Sequence, residues 1–207
     1  MGNKRGQYQG PIRNVEAKKK RFKDTIKKIV KERAFSELTV NSVSYKAGIS
    51  KNLLYRYFGN LSNLLGILME ENDYSAMLEE KFSASKTLNK NDSSKLFADI
   101  LEYMLSSPVS SGLVAWELTS QNRSIFENLK KREEIVQQLF PYQGNSENST
   151  IDIQAIYTIL LSSINYLAAY SFMHEVPING IRVDLEPGRI IDAIQFILNQ
   201  VFLIEKS

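Results

Sequence analysis

Lys51, Asn52, Tyr55, Arg56 and Tyr57 fall within eight residues, Lys51-Asn52-Leu53-Leu54-Tyr55-Arg56-Tyr57-Phe58. Together they offer two cations, an amide and two phenols. Amides and guanidinium groups pair with base edges, while cations and hydroxyls hold phosphates. Leu54 and Phe58 are four apart, so one face of a helix here is apolar and the polar set takes the other. The elements that would position this face lie just upstream. Thr39 is a good N-cap, and Val40, Val43 and Ala47 repeat at helical spacing behind it. Gly48 suits the left-handed end of that first helix, Ile49 plugs the corner, and Ser50 caps the second. The spacing predicts two short helices joined by a tight turn, with the docking geometry of a helix-turn-helix. An ordinary helical corner with a solvated outer face has the same spacing.

Three segments, Thr39-Val40, Ala47-Gly48-Ile49-Ser50-Lys51 and Leu54-Tyr55-Arg56-Tyr57-Phe58, resemble the TetR family of bacterial repressors. Ile26, Ile29, Ala34 and Phe35 stand where that family's first helix is apolar, and the resemblance covers about 45 residues, Arg21 to Leu65. It implies a homodimer that binds a near-palindromic double-stranded DNA operator through Thr39, Asn41, Ser50, Lys51, Asn52, Tyr55, Arg56 and Tyr57. One departure bears on this. The family usually carries Ser-Lys at the start of the next helix, where the lysine tends to hold a phosphate. Here the pair is Asn60-Leu61, which keeps the cap and lacks the cation.

The charge distribution is uneven. The net charge is +3 over 207 residues, yet residues 1–60 hold 15 Lys+Arg against 4 Asp+Glu, leaving 11 against 19 for the rest. A basic first third joined to an acidic remainder implies a polyanion as partner of the first part alone. With no cysteine and one histidine, disulfides and thiolate metal sites are excluded and zinc is disfavoured. No Gly-rich phosphate loop or nucleophile elbow occurs. The acid pairs Glu70-Glu71 and Glu133-Glu134 are adjacent and point to different helix faces. A non-enzyme without cofactor or metal is expected. The polar, basic stretch from Met1 to Lys31 has no apolar secretory core, which favours the cytoplasm.

Taken in order, the sequence predicts an all-α chain. It comprises a flexible basic arm over 1–15, a three-helix DNA-binding head over 16–60 and a helical effector-binding and dimerisation body over 61–207. The first helix runs to about Arg33 with Phe22, Ile26, Ile29 and Val30 inward. One long helix is expected from Asn60 to about Phe82. Asn91-Asp92-Ser93 caps the next, and Pro108 and Gly112 break the chain. A short helix carries Leu113, Trp116 and Glu117, and another, Ile125 to Phe140, has a charged outer face at Lys130 to Glu134. Pro141 to Ser149 is a polar loop, and Ser149 with Asp152 resembles a capping box.

Ile153 to Met173 carries no formal charge and is long enough to cross a bilayer. Its Gln, Thr, Ser and Asn residues favour a buried core helix, with no membrane partner. On the last helix Ile190, Ile194, Ile197, Val201 and Ile204 line one face, and Ile191, Leu198 and Phe202 a second. One face serves the subunit core; Ile190, Ile194, Ile197 and Val201 are expected at a homodimer interface. Tyr103, Met104, Trp116, Phe126, Tyr157, Asn165, Tyr166 and Tyr170 are the candidate lining of a pocket for a small, largely apolar effector. The rival expectation is a helical small-molecule-binding or scaffold protein whose helix-turn-helix is vestigial, favoured by Leu53 and Leu61.

Overall fold

Helix–helix packing builds this protein: in a computed structural model, every regular element among the described residues is an α-helix or a short 3-10 turn. The described residues are 11–84, 90–119, 123–139 and 152–204. The chain separates into two units, Met1–Leu68 and Met69–Ser207, so the division falls later than the expected Asn60.

The first unit holds α1 (Pro11–Lys31), a 3-10 turn (Phe35–Glu37), α2 (Val40–Ala47), α3 (Lys51–Phe58) and the start of α4 (Leu61–Asn72). α1 begins at Pro11, inside the expected arm, because proline is tolerated in a first turn whose amides have no helical partner anyway. Residues 1–10 of that arm, and the Arg13 side chain, lie outside what is described. Phe22, Ile26, Ile29 and Val30 are buried, as their spacing requires. They meet Val43, Ala47, Ile49, Leu54 and Phe58 in the core of the unit. The Phe22 and Phe58 rings meet edge to face with centroids 6.1 Å apart, an arrangement worth about 0.5–1.5 kcal/mol beyond the area it buries.

Thr39 caps α2, its hydroxyl accepting the Ser42 amide at 3.2 Å. Gly48 takes φ 61° and ψ 36° and donates its amide to the carbonyls of Ser44 and Tyr45. Ser50 holds the cap position of α3 with extended backbone, but its side chain makes no capping bond. Asn60 caps α4 by accepting the Asn63 amide at 2.7 Å, so the cap expected there is made.

The second unit holds the end of α4, then α5 (Ser75–Ala84), α6 (Lys90–Ser106), α7 (Pro108–Thr119), α8 (Arg123–Leu139), α9 (Ile153–Met173) and α10 (Pro187–Ile204). α6 packs on α7, α9 and α10; α7 also packs on α9, and α5 on α8. Phe97, Ile100, Leu101 and Met104 of α6, Ile164 of α9 and Leu198 of α10 are among its fully buried core.

Several expected boundaries move. The long helix from Asn60 to Phe82 is two helices. Asp73 breaks it by accepting the Ser75 amide at 2.9 Å, and Asn72 gives its carbonyl to the Tyr103 hydroxyl at 3.1 Å. Pro108 opens α7, which Ser107 caps through the Ser110 amide at 3.3 Å, and Gly112 lies inside that helix. α6 already includes Asn91, Asp92 and Ser93. Asp152 itself caps α9, accepting the Ala155 amide at 2.9 Å, while Ser149 and the loop from Pro141 lie outside the described residues. Asn179 and Gly180 both take positive φ, and Ile178 and Ile181 bridge across them in a tight turn.

Gly48→Ala should destabilise the first unit by about 1–2 kcal/mol, because a Cβ strains left-handed backbone. That Cβ would also lie 3.0 Å from Arg21 Nη2, which must then move. Urea unfolding read by circular dichroism checks this; an unshifted midpoint would contradict the stated role of the turn.

Candidate functional site

The polar face of α3 forms because Leu54 and Phe58 turn inward and take the opposite side of the helix with them. Thr39, Asn41, Ser50, Lys51, Asn52, Tyr55 and Arg56 are exposed, and Tyr57 and Leu53 are half-buried. Tyr57 also meets Phe58 edge to face, with centroids 6.4 Å apart. Cations elsewhere in this unit are engaged. Lys19 pairs with Glu16 at 3.1 Å, Lys20 with Asp24 at 2.6 Å, Lys28 with Glu32 at 3.8 Å, and Lys46 with Glu37. Among the described residues neither Lys51 nor Arg56 has an ion-pair partner. Their charges are held at the surface with no acid to neutralise them.

Two residues of this neighbourhood escape the sequence reading. Tyr45 of α2 is 87% exposed, the most exposed of the large hydrophobic side chains described. Its place opposite the Val43–Ala47 stripe was a usable signal, since two residues along a helix is a turn of about 200°. Arg21 of α1 brings its guanidinium beside the α2–α3 turn at Gly48. Only the packing of α1 on α2 places it there.

In the second unit a polar cluster occupies the position expected of an apolar pocket. Arg132 of α8 donates from Nη1 to Asp73 Oδ2 at 2.9 Å and from Nη2 to Glu117 Oε1 at 2.8 Å. All three side chains are only 10–12% exposed. The guanidinium carbon lies 5.3 Å from the centre of the Tyr74 ring, a cation–π contact. The Tyr74 hydroxyl in turn accepts from Asn165 Nδ2 at 3.3 Å, while Asn165 Oδ1 is buried without a partner.

Burial pushes the Glu117 carboxyl above its ordinary value; the Arg132 charge opposes this without overcoming it. Burial also raises the Tyr74 phenol. Burial works against the charged form of Arg132, but Tyr74, Asp73 and Glu117 outweigh it, and the guanidinium holds its proton above the usual arginine range.

A cavity of about 150 Å³ opens beside this cluster, lined by residues of α5, α8 and α9 that include Tyr74, Arg132, Tyr157, Thr158 and Asn165. Of the eight residues proposed for an effector pocket, Tyr157 and Asn165 line it. Met104 lines a separate space of about 10 Å³. Tyr103 is occupied in tying α6 to the end of α4, and Trp116 is half-buried and lines neither space. Tyr166 is 54% exposed and rests against Tyr170, which also meets the His174 ring. The Phe126 side chain lies outside the described residues.

Arg132, Asp73 and Glu117 are what the sequence reading missed. Residues 130–134 form a charged run, yet Arg132 falls three from Leu129 and three and four from Ile135 and Val136. That places it on the apolar stripe.

The expected interface on α10 also changes. Ile194 and Val201 are buried in the subunit core with Leu198, because α10 packs that face on α6. Ile190 is partly buried against the same core, and Ile197 is 40% exposed beside Phe196 at 63%.

A scan against protein-family models finds no match to this chain, and a search of curated proteins finds none either.

Removing Arg132 strands two buried carboxylates. Arg132→Met should cost about 3–5 kcal/mol in urea unfolding, the penalty of breaking a buried ion pair from one side. Asp73→Asn/Arg132→Met/Glu117→Gln should recover most of that loss, since no uncompensated charge remains. A single variant as stable as the parent would show that the cluster is solvated.

Proposed function

We propose that this chain is a DNA-binding transcription regulator of the TetR type, acting in the cytoplasm as a homodimer and most simply as a repressor. The observation that carries this is the exposed face of α3, where Lys51, Asn52, Tyr55 and Arg56 stand together and the two cations have no acidic partner. Lys51 and Tyr55 would hold phosphates, and Asn52 and Arg56 would read base edges in the major groove. Thr39, Asn41 and Ser50 extend the phosphate contacts, and Tyr45 joins them by its exposure.

A second copy of the chain would account for apolar surface in the other unit. Ile159 and Tyr166 on α9, and Phe196 and Ile197 on α10, are exposed. Only 33% of the most apolar stretch of α9 is buried within the subunit. Two copies would present two recognition helices to a near-palindromic operator. An effector bound in the second unit need favour the non-binding state by only about 1–3 kcal/mol to weaken DNA affinity some 5–150-fold.

A ligand-binding protein without DNA activity is the second reading, favoured by the cavity beside Arg132. A gel shift against the DNA upstream of the chain's own gene separates the two. Sequence-selective retardation supports the regulator; its absence at low salt supports the binding protein.

Binding to a matched operator should weaken about 10³-fold or more between ~50 and ~200 mM salt if ~6–10 phosphates are touched. Fluorescence anisotropy with labelled duplex measures this, and salt-independent affinity would contradict the basic face. Arg56→Ala should cost about 1–3 kcal/mol and relax preference at one base pair. If affinity and base preference both stay as they were, Arg56 is not a contact.

A further inference from the structure

The cavity beside Arg132 has a chemistry that narrows what it can hold, and the inference rests on the proposal that the second unit is an effector domain. Its volume, about 150 Å³, is that of a space able to take a single benzene-sized ring. Its lining is mostly polar. Gln154, Thr158 and Asn165 of α9 face it together with Tyr74, Tyr157 and Arg132, so an all-hydrocarbon guest would leave these groups without partners.

The guanidinium is the obvious trap for a carboxylate or phosphate, but it is already taken. Nη1 is bound to Asp73 and Nη2 to Glu117. An anionic guest would have to displace one of those carboxylates and leave it buried and unpaired, a poor exchange of one ion pair for another. Two carboxylates against one guanidinium leave the cluster with an excess negative charge, which repels anions and attracts cations. The remaining unmet group is an acceptor. Asn165 Oδ1 is buried with no hydrogen-bond partner, and its own Nδ2 is committed to the Tyr74 hydroxyl. A buried acceptor left empty is costly, and a guest that donates to it recovers that loss.

We propose that this cavity binds a compact ring-sized effector that is neutral or cationic, bears N–H donors, and gives one of them to Asn165 Oδ1. Its aromatic or planar body lies among Tyr74 and Tyr157, and carboxylates of the same size and shape are excluded. This differs from the largely apolar guest that the aromatic composition of the body implies.

Benzamidine, benzamide and benzoate test this directly, because they share one shape and differ in donors and charge. Thermal unfolding of the full chain is followed with each probe up to about 10 mM, where a ligand that binds only the folded state raises the midpoint in proportion to log concentration. Benzamidine or benzamide should raise it and benzoate should not. Asn165→Leu should weaken the effective probe at least tenfold. Thr158→Phe, which fills the cavity from a more exposed position, should abolish the effect and guards against a folding defect in the first variant.

Stabilisation by benzoate equal to or greater than that by the other two would overturn the proposal. So would an unchanged response in both variants, or no response to either N–H donor probe. Operator affinity is measured in parallel. A probe that binds as stated but leaves DNA affinity unaltered refutes the regulatory reading and spares the site; firm DNA binding with no probe response refutes the site alone.

Discussion

A full positive charge cannot sit among packed helices unless something answers it, and the second unit is arranged around the answer to Arg132. Two carboxylates reach it from different elements, Asp73 at the junction of α4 and α5 and Glu117 on α7, and both are as enclosed as the guanidinium itself. Such a triad adds little net stability compared with well-packed hydrocarbon, but any arrangement that omits one member is penalised heavily. Asp73 also accepts the Ser75 amide, so the same carboxylate that neutralises Arg132 ends one helix and starts another. The residue that follows it, Tyr74, lies under the guanidinium and carries the polar chain on to Asn165 of α9. Charge pairing, a helix break and the one-sided hydrogen bonding of Asn165 are thus consequences of a single buried cation.

The first unit handles charge in the opposite way. Its core is apolar and closed, with Phe22 against Phe58 and Leu54 fully buried, so no cation enters it. Lysines on α1 and α2 pair with acids on the same or the neighbouring element, at exposed positions where each pair is worth little. On α3 no acid is supplied at all. The 15 basic residues of the first sixty against 4 acidic ones therefore matter less as a total than for where the uncompensated ones stand. A rigid three-helix arrangement holds Lys51, Asn52 and Arg56 on a helix, and a set of contacts is better defined there than on a loop.

α9 and α10 show the limit of apolar content as a guide. α9 is the one helix among the described residues long and apolar enough to cross a bilayer, yet Leu160, Leu161, Ile164, Ala168 and Ala169 are buried against protein. The Ile159 and Tyr166 side is left uncovered in the subunit. Apolar residues all round a helix state that several sides want cover, and they leave open what covers each.

Local rules were legible from the residues alone. Thr39 as a cap, Gly48 in left-handed backbone, the inward pairs Leu54–Phe58 and Ile26–Ile29–Val30, and the all-helical class follow from spacing and backbone sterics within a few residues. The polar face of α3 followed with them, because fixing the buried side of a short helix fixes the exposed side. What only the tertiary structure decided depends on partners far along the chain. Arg132 turns inward because Asp73 and Glu117 are there to meet it, 59 and 15 residues away. The helix from Asn60 breaks because Asn72 and Asp73 find bonds outside it. Ile194 and Val201 are core because α10 presents that face to α6, although Ile197 has the same chemistry. Helical periodicity records that a face is buried. Which distant group waits on the other side is a property of the packed chain.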